Sequence, residues 1–472
     1  MSKIANYRNA FIAILILALT LRLGLALVNR QANDDHMEVI HLIIETHQLP
    51  DMSQCRECFQ PKLFYAIAAA LLDVGAVQNP TAQIIFIQLL NFFAGVATLG
   101  VVYQFIKEYP STNRALTLTV FALVALNPKL IAINAQASND TFVILFGTLA
   151  LYSTIYFFKK PGTKPFALII LSLLLAVSTK VVGWIVFIAI FISFLIFLWT
   201  TEKRKATIAT YTFILLVAVP LLTIANPLSE VVTNTQKFGT PLANHRDPLP
   251  LPAFFHQTFE YKQYYFRPGI VSIQDGFFTF KLDDLLEFPL ITNELDKFPP
   301  HRTSFWTILY ADSHSLHFQN WPPSWQTQDR EGFLVSRAIF ILALVPTFLL
   351  AWGFLLELMD FVKALWRRDT AKIRSLGNAL YLLAFGGNLA FLLLYALLFR
   401  DFSFIKLIYT LTGLLAFIWL LLRGTETALE RILIYPKLHF VLYSWMSLLL
   451  GLYIWDVLTM IFQLYVLNIH PA

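Results

Sequence analysis

Long apolar runs separated by short polar clusters make up most of this chain. About 20 residues of helix suffice to cross roughly 30 Å of hydrocarbon. By that measure the pattern predicts about eleven spans, at 10–28, 82–106, 115–133, 142–158, 166–179, 182–199, 208–224, 335–359, 376–398, 405–422 and 440–461. The run from 166 to 199 is long enough for two helices, and Lys180 in the middle of one continuous span would cost several kcal/mol. A hairpin with Lys180 at its tip and Gly183 just beyond is therefore predicted. The stretch 63–77 is short, carries Asp73, and is predicted to lie in the outer interface rather than to cross. With that assignment Lys3/Arg8, Lys107/Arg114, Lys159/Lys160/Lys164, Lys203/Arg204/Lys205, the cluster from Lys363 to Arg374 and Arg423/Arg431/Lys437 all fall on one side. The excess of Lys and Arg makes that side cytoplasmic. Counting 63–77 as a span would put nearly every later cluster outside.

Two sizeable segments then face outward. One is the loop 29–61. The other, 226–334, is rich in Pro, Phe, Tyr, Trp and His, too aromatic for a disordered linker, and predicts a cap of short helices resting on the bundle. The chain divides into an N-terminal membrane module (1–225), this outer cap (226–334) and C-terminal membrane helices (335–472), with no internal repeat and no separate soluble domain.

Composition agrees. Of 472 residues 57% are hydrophobic and 14% charged, and the mean hydropathy is +0.63, whereas soluble domains average about 25% charged. The fold class is an all-α polytopic membrane protein. The net charge of +6 sits in the loop clusters, which argues against a nucleic-acid partner. The first run follows Lys3 and Arg8 but is long for a signal peptide. It ends in Ala26-Leu27-Val28-Asn29 without a small-residue cleavage site, so it is read as an uncleaved span.

Asp34 and Asp35 lie a few residues beyond that span. Met37, Ile40, Ile43 and Ile44 recur at helical spacing, predicting an amphipathic helix over 36–48 lying on the membrane. Asp35 with Glu38 is a capping-box pattern, and Asn33 or Asp34 can serve as the cap equally well. One acid caps, and the other remains to deprotonate a hydroxyl or hold a cation; the cap argument leaves Asp34 working, and a one-residue shift reverses the roles. Cys55 and Cys58 form a CxxC pair without zinc-site or redox context, so a local disulfide and two free thiols both stay open.

Lys62, Lys180, Arg400 and Lys406 stand at predicted outer ends, on the side otherwise poor in bases. Arg can grip a phosphate bidentately, and Lys acts as a point charge. Against this, Lys62 and Lys406 can snorkel and Arg400 can pair with Asp401. Asp140, opening the fourth span, is a second acid or an N-cap. In the outer segment His301-Arg302 and Tyr310, Asp312, His314 and His317 concentrate polarity. Their spacing lacks the regularity of a helical metal site, which predicts a solvated, aromatic-rich loop and no metal.

Several of these features recur together in one family. A first span, outward Asp34-Asp35, a helix ending at Leu49-Pro50 and then Phe59-Gln60-Pro61-Lys62-Leu63-Phe64-Tyr65 resembles the GT-C superfamily of membrane glycosyltransferases. The nearest branch is that of protein O-mannosyltransferases and aminoarabinose–lipid A transferases. Ser138-Asn139-Asp140, Thr179-Lys180 with Gly183, and Arg400 with Lys406 and Tyr409 also fit, while Pro61-Lys62 stands where that branch has a double proline. The resemblance implies a GT-C-like bundle with outward juxtamembrane helices in a cytoplasmic (inner) membrane. It implies transfer of a monosaccharide from a polyprenyl-phosphate donor to a protein, glycolipid or polysaccharide acceptor at the outer face, with inversion.

Inversion needs one carboxylate, Asp34 or Asp35, as base on the acceptor. The leaving phosphate needs positive charge more than a proton, from Lys62, Lys180, Arg400 and Lys406. Asp140 and Tyr409 form the second acidic or acceptor site. No cofactor is required; a divalent cation enters only with a pyrophosphate donor, held by the same acids with Asp140. Two alternatives remain. A secondary transporter predicts paired repeats and mid-membrane charges, whereas charges here cluster at helix ends. An oligosaccharide ligase would differ in its pyrophosphate donor.

Overall fold

The computed structural model describes residues 2–32, 35–109, 113–201, 205–239, 241, 273–289, 303–314, 330–369, 379–399, 405–432 and 435–469. Among them every element is helical. The first ten are α1 (Ser2–Val28), α2 (His36–Thr46), α3 (Leu63–Val74), α4 (Pro80–Lys107), α5 (Arg114–Ala125), α6 (Pro128–Asn134), α7 (Asp140–Lys159), α8 (Thr163–Thr179), α9 (Gly183–Thr200) and α10 (Lys205–Ala225). Short helices follow: α11 (Val231–Phe238), α12 (Ile273–Phe277), α13 (Leu282–Glu287) and α14 (Phe305–His314). Then come α15 (Arg330–Leu342), α16 (Leu344–Trp366), α17 (Ala379–Phe399), α18 (Leu414–Thr427) and α19 (Pro436–Ile469).

Among the described residues nine helices are long and apolar enough to cross a membrane, or ten if α5 and α6, bent by 47°, form one broken span. The remaining predicted run is α8, apolar but shorter. The tenth predicted run is displaced: its first residues are short 3₁₀ turns, and the apolar helix of the span covers Leu411–Arg431.

Side-chain contacts sort the helix ends into two sets. At one, Tyr109 donates to Glu426 at 2.9 Å, Asn113 to the Tyr443 hydroxyl at 3.0 Å and Lys159 to Glu108 at 3.0 Å. These residues adjoin the basic clusters. At the other, Asn468 donates to the Val28 carbonyl at 2.7 Å, Asn29 to that of Ala135 at 2.8 Å and Asn226 to Ser178 Oγ at 2.9 Å. The alternation of ends inferred from charge is thus kept in the packing.

The apolar face of α2 packs on protein: Met37, Val39 and Ile40 are buried in one cluster with Phe64, Tyr65, Ala68 and Leu72 of α3 and Ile87 of α4. It finds protein because α3 presents an apolar face of its own. One sequence expectation is corrected by the packing: the outer segment is not a solvated loop around Asp312, since Tyr310 and Asp312 are buried in α14. Lys129 forms an ion pair with Asp312 at 2.5 Å, and the other Asp312 oxygen accepts the Leu407 N–H at 2.7 Å. An apolar surround is tolerable for this carboxylate because both oxygens are satisfied. His301, Arg302 and His317 lie outside the described residues.

The break between α5 and α6 has a visible cause. Pro128 disfavours helix in the residue before it, and the carbonyl freed at Ala125 accepts from the Arg22 guanidinium at 2.5 Å. Arg22, within an apolar span and 1% exposed, also donates to Asn134 Oδ1 at 2.8 Å and Ala18 O at 3.1 Å. Its charge is accommodated by a broken helix that supplies acceptors.

Candidate functional site

One group of side chains gathers where α1 gives way to α2. Asp35 occupies the N-cap position of α2 yet makes no side-chain bond to the helix, so the expected capping box is not formed. Its carboxylate instead accepts from Arg56 Nη1 at 3.0 Å, with both side chains part-exposed. Asp34 lies outside the described residues. Arg56 belongs to a four-residue ring closed by a Cys55–Cys58 disulfide.

Lys62 stands behind that ring and is fully buried. Its Nζ donates to Cys58 O at 2.6 Å, to Gln60 O at 2.8 Å and to the Glu230 carboxylate. An ammonium has three N–H donors and all three are used, so Lys62 neither snorkels nor has a donor left for a phosphate in this arrangement. Burial pushes its pKa below the usual lysine range and that of Glu230 above the usual carboxylate range, each shift opposed by the partner's charge. Asp51, bonded to Lys237 at 2.8 Å, ties the same loop to α11, and the Lys237 and Ser53 bonds hold its carboxyl down to about 2.

A second group forms at the tip of the α8–α9 hairpin. The helix α8 stops at Thr179, Lys180 is extended, and α9 starts at Gly183. A Cβ on Gly183 would come within 2.6 Å of the Ala176 carbonyl carbon, so only glycine lets α9 start this close to the last turn of α8. Lys180 Nζ meets Asp140 Oδ1 at 2.5 Å, both side chains 9% exposed, and lies 5.3 Å from the centroid of the Tyr409 ring. That is cation–π distance. Asp140 is the first residue of α7 rather than its cap, and Asn139 in the cap position bonds elsewhere.

A short polar chain joins the two groups. His36 Nδ1 is 2.6 Å from the Tyr65 hydroxyl, Asn139 Nδ2 donates to that hydroxyl at 3.5 Å, and it also donates to the Thr179 carbonyl at 3.1 Å. The neighbour of Asp35 is thereby connected to the neighbours of Asp140 and Lys180.

Lys406 and Tyr409 share one short turn, the Tyr409 N–H donating to Lys406 O at 3.2 Å. The Lys406 side chain is half-buried and makes no hydrogen bond or ion pair among the described residues. Arg400 lies outside the described residues. While Tyr409 faces Lys180, Leu407 and Thr410 of the same stretch line a cavity of about 490 Å³. Its walls are mostly apolar, with Leu309, Leu350, Phe354, Phe385 and Phe417 among them.

The structure thus brings together Asp140, Lys180 and Tyr409, places Lys406 one turn away, and gives Asp35 a cationic partner that the sequence did not single out. Arg56 had a signal, its place inside the CxxC. His36 had one too, directly after the acids. The Lys129–Asp312 pair had none, because its partners lie far apart in the chain.

Chemically, a part-exposed carboxylate can take a proton from an incoming hydroxyl, and a lysine nearly closed off from water is a strong partner for developing phosphate charge. Residues 67–229 match the family model described as dolichyl-phosphate-mannose-protein mannosyltransferase. The match contains Asp140 and Lys180 and begins after the Asp34-Asp35 loop. No curated protein matches the chain.

Proposed function

We propose that this membrane-embedded, all-helical chain is a GT-C-type glycosyltransferase, a reading supported by the family match over residues 67–229, and that it moves a monosaccharide from a polyprenyl monophosphate to an acceptor hydroxyl at the outer bilayer face, with inversion. One observation carries the reading. The start of α2, Asp140, Lys180 and Tyr409 meet at the end of the bundle opposite the basic clusters, linked through His36, Tyr65 and Asn139.

Asp34 or Asp35 takes the acceptor proton as the acceptor oxygen bonds to the anomeric carbon. The bond from that carbon to the phosphate oxygen breaks on the opposite face, and the polyprenyl phosphate leaves with the electron pair. Lys180, with one N–H on Asp140, offers its remaining donors to that phosphate; Lys406 and Arg400 complete the positive charge. The apolar cavity beside Leu407 and Thr410 suits the first isoprene units. Mannose as the sugar and a protein as the acceptor follow the description of the matching family, with a glycolipid or polysaccharide acceptor as the alternative. A pyrophosphate donor would instead call for a divalent cation on the acids.

Membranes carrying Asp34→Asn or Asp35→Asn, incubated with radiolabelled polyprenyl-phosphate sugars, test this. The variant that removes the base should lose about 10²–10⁴-fold in transfer while remaining in the membrane. Full transfer by both variants would discard the carboxylate as base.

A further inference from the structure

Among the described residues, Arg56 is the cation seated on Asp35, at 3.0 Å. Its backbone is confined in two ways. The disulfide closes Cys55-Arg56-Glu57-Cys58 into a small ring with the Cys58 N–H on Cys55 O at 3.3 Å. Lys62 then grips the ring from behind through Cys58 O, and Glu230 holds Lys62. Cys58 is fully buried and Glu57 nearly so, so one side of the ring is set into the protein, while Cys55 is half-buried and the Arg56 side chain reaches outward, 35% exposed.

A part-exposed ion pair adds little stability, about 0–1 kcal/mol. A buried lysine, a buried glutamate and a disulfide are a large apparatus for so small a return in stability. Its product is geometric: a guanidinium at a defined place against one oxygen of Asp35. Arg suits this because its fork is planar and always charged.

We propose that Arg56 is a positioning residue for the transfer reaction, orienting the Asp35 carboxylate, and that the Cys55–Cys58 ring acts on the reaction only by fixing Arg56. This rests on the reading that the Asp34-Asp35 pair supplies the base. Acting through Asp35 alone, Arg56 should show its loss in kcat and leave donor binding alone.

The test uses the full-length protein in lipid nanodiscs, with a radiolabelled polyprenyl-phosphate sugar and four variants. They are Arg56→Gln, Arg56→Lys, the Cys55→Ser/Cys58→Ser pair, and that pair combined with Arg56→Gln. Arg56→Gln should lower kcat about ten-fold or more with donor KM nearly unchanged, the split expected when the loss falls on the chemical step and not on donor binding. Arg56→Lys should recover part of the loss. The cysteine pair should lose a similar factor, and the combined variant should be no slower than Arg56→Gln, because two changes acting through one contact do not add. If the cysteine pair fails to accumulate, adding a reductant to the wild type and to Arg56→Gln gives the same comparison.

Wild-type kcat in Arg56→Gln, a change in KM alone, or losses that multiply in the combined variant would each overturn the proposal. Asp35→Asn, measured alongside, separates the two ideas. An inactive Asp35→Asn beside a fully active Arg56→Gln defeats only the role of Arg56, whereas a fully active Asp35→Asn defeats the use of Asp35 as well.

Discussion

Lys62 and Glu230 join stretches 168 residues apart, and their burial makes each dependent on the other. Removing one partner strands the other's charge in a dry site, which costs about 3–5 kcal/mol, while an apolar pair of similar volume is often neutral. Lys62→Met or Glu230→Gln alone should therefore lower the melting temperature in detergent markedly, and Lys62→Met with Glu230→Leu should recover most of the loss. Equal losses in single and double variants would contradict the pairing. His314 supports a pH prediction. Its Nδ1 is 2.5 Å from the Tyr453 hydroxyl and its Nε2 3.1 Å from Thr347 Oγ1. Beside an apolar cavity, burial pushes its imidazole pKa down to about 3. An unfolded chain binds a proton there below about 6.5, whereas the folded one stays neutral, so this contribution is whole above pH 6.5 and is lost as pH falls towards 3. Melting curves at pH 7.5 and 5 should show the wild type weakened at the lower pH and His314→Gln weakened less. Neither residue was legible as it stands. Lys62 looked interfacial and His314 solvated, because a pattern along the chain does not show a partner brought in by folding.

The helix pair α16 and α18 illustrates how far elements depend on one atom. A Cβ on Gly353 would sit 1.9 Å from the Leu420 carbonyl oxygen, and one on Gly424 1.9 Å from that of Leu349. The two backbones are thus in contact, as small residues permit between membrane helices. Gly353→Ala or Gly424→Ala should force them apart at a cost of about 1–3 kcal/mol or more, measured as a lower unfolding temperature. Because α18 continues from the stretch bearing Lys406 and Tyr409, transfer should fall with it. A wild-type melting temperature in both variants would refute the close crossing. Helix existence was readable from apolar runs alone, and the Lys180 hairpin from the cost of a buried charge. Which face of α2 packs on what was not readable, because an amphipathic helix fits a membrane surface and a protein groove equally well.

For the molecule as a whole, the decisive property is sidedness. Gln48 and Lys160 are exposed and lie near opposite ends of the bundle. In right-side-out vesicles Gln48→Cys should react with an impermeant maleimide directly, and Lys160→Cys only after permeabilisation. The reverse pattern would place the start of α2 in the cytosol and end the proposed use of an outer-face donor. That orientation rests on the excess of Lys and Arg at one set of helix ends, where Tyr109 meets Glu426, Asn113 meets Tyr443 and Lys159 meets Glu108.

The amino-acid order alone determined the all-helical membrane class and where most of the long apolar helices run. Each follows from transfer free energies that act residue by residue. Tertiary structure alone decided which partner each buried or half-buried charge meets. Lys62 went to Glu230, Arg22 to the carbonyl of a broken helix, Lys180 to Asp140 and Tyr409, and Arg56 to Asp35. Ion pairing and burial depend on distance in space, and chain position carries little information about that.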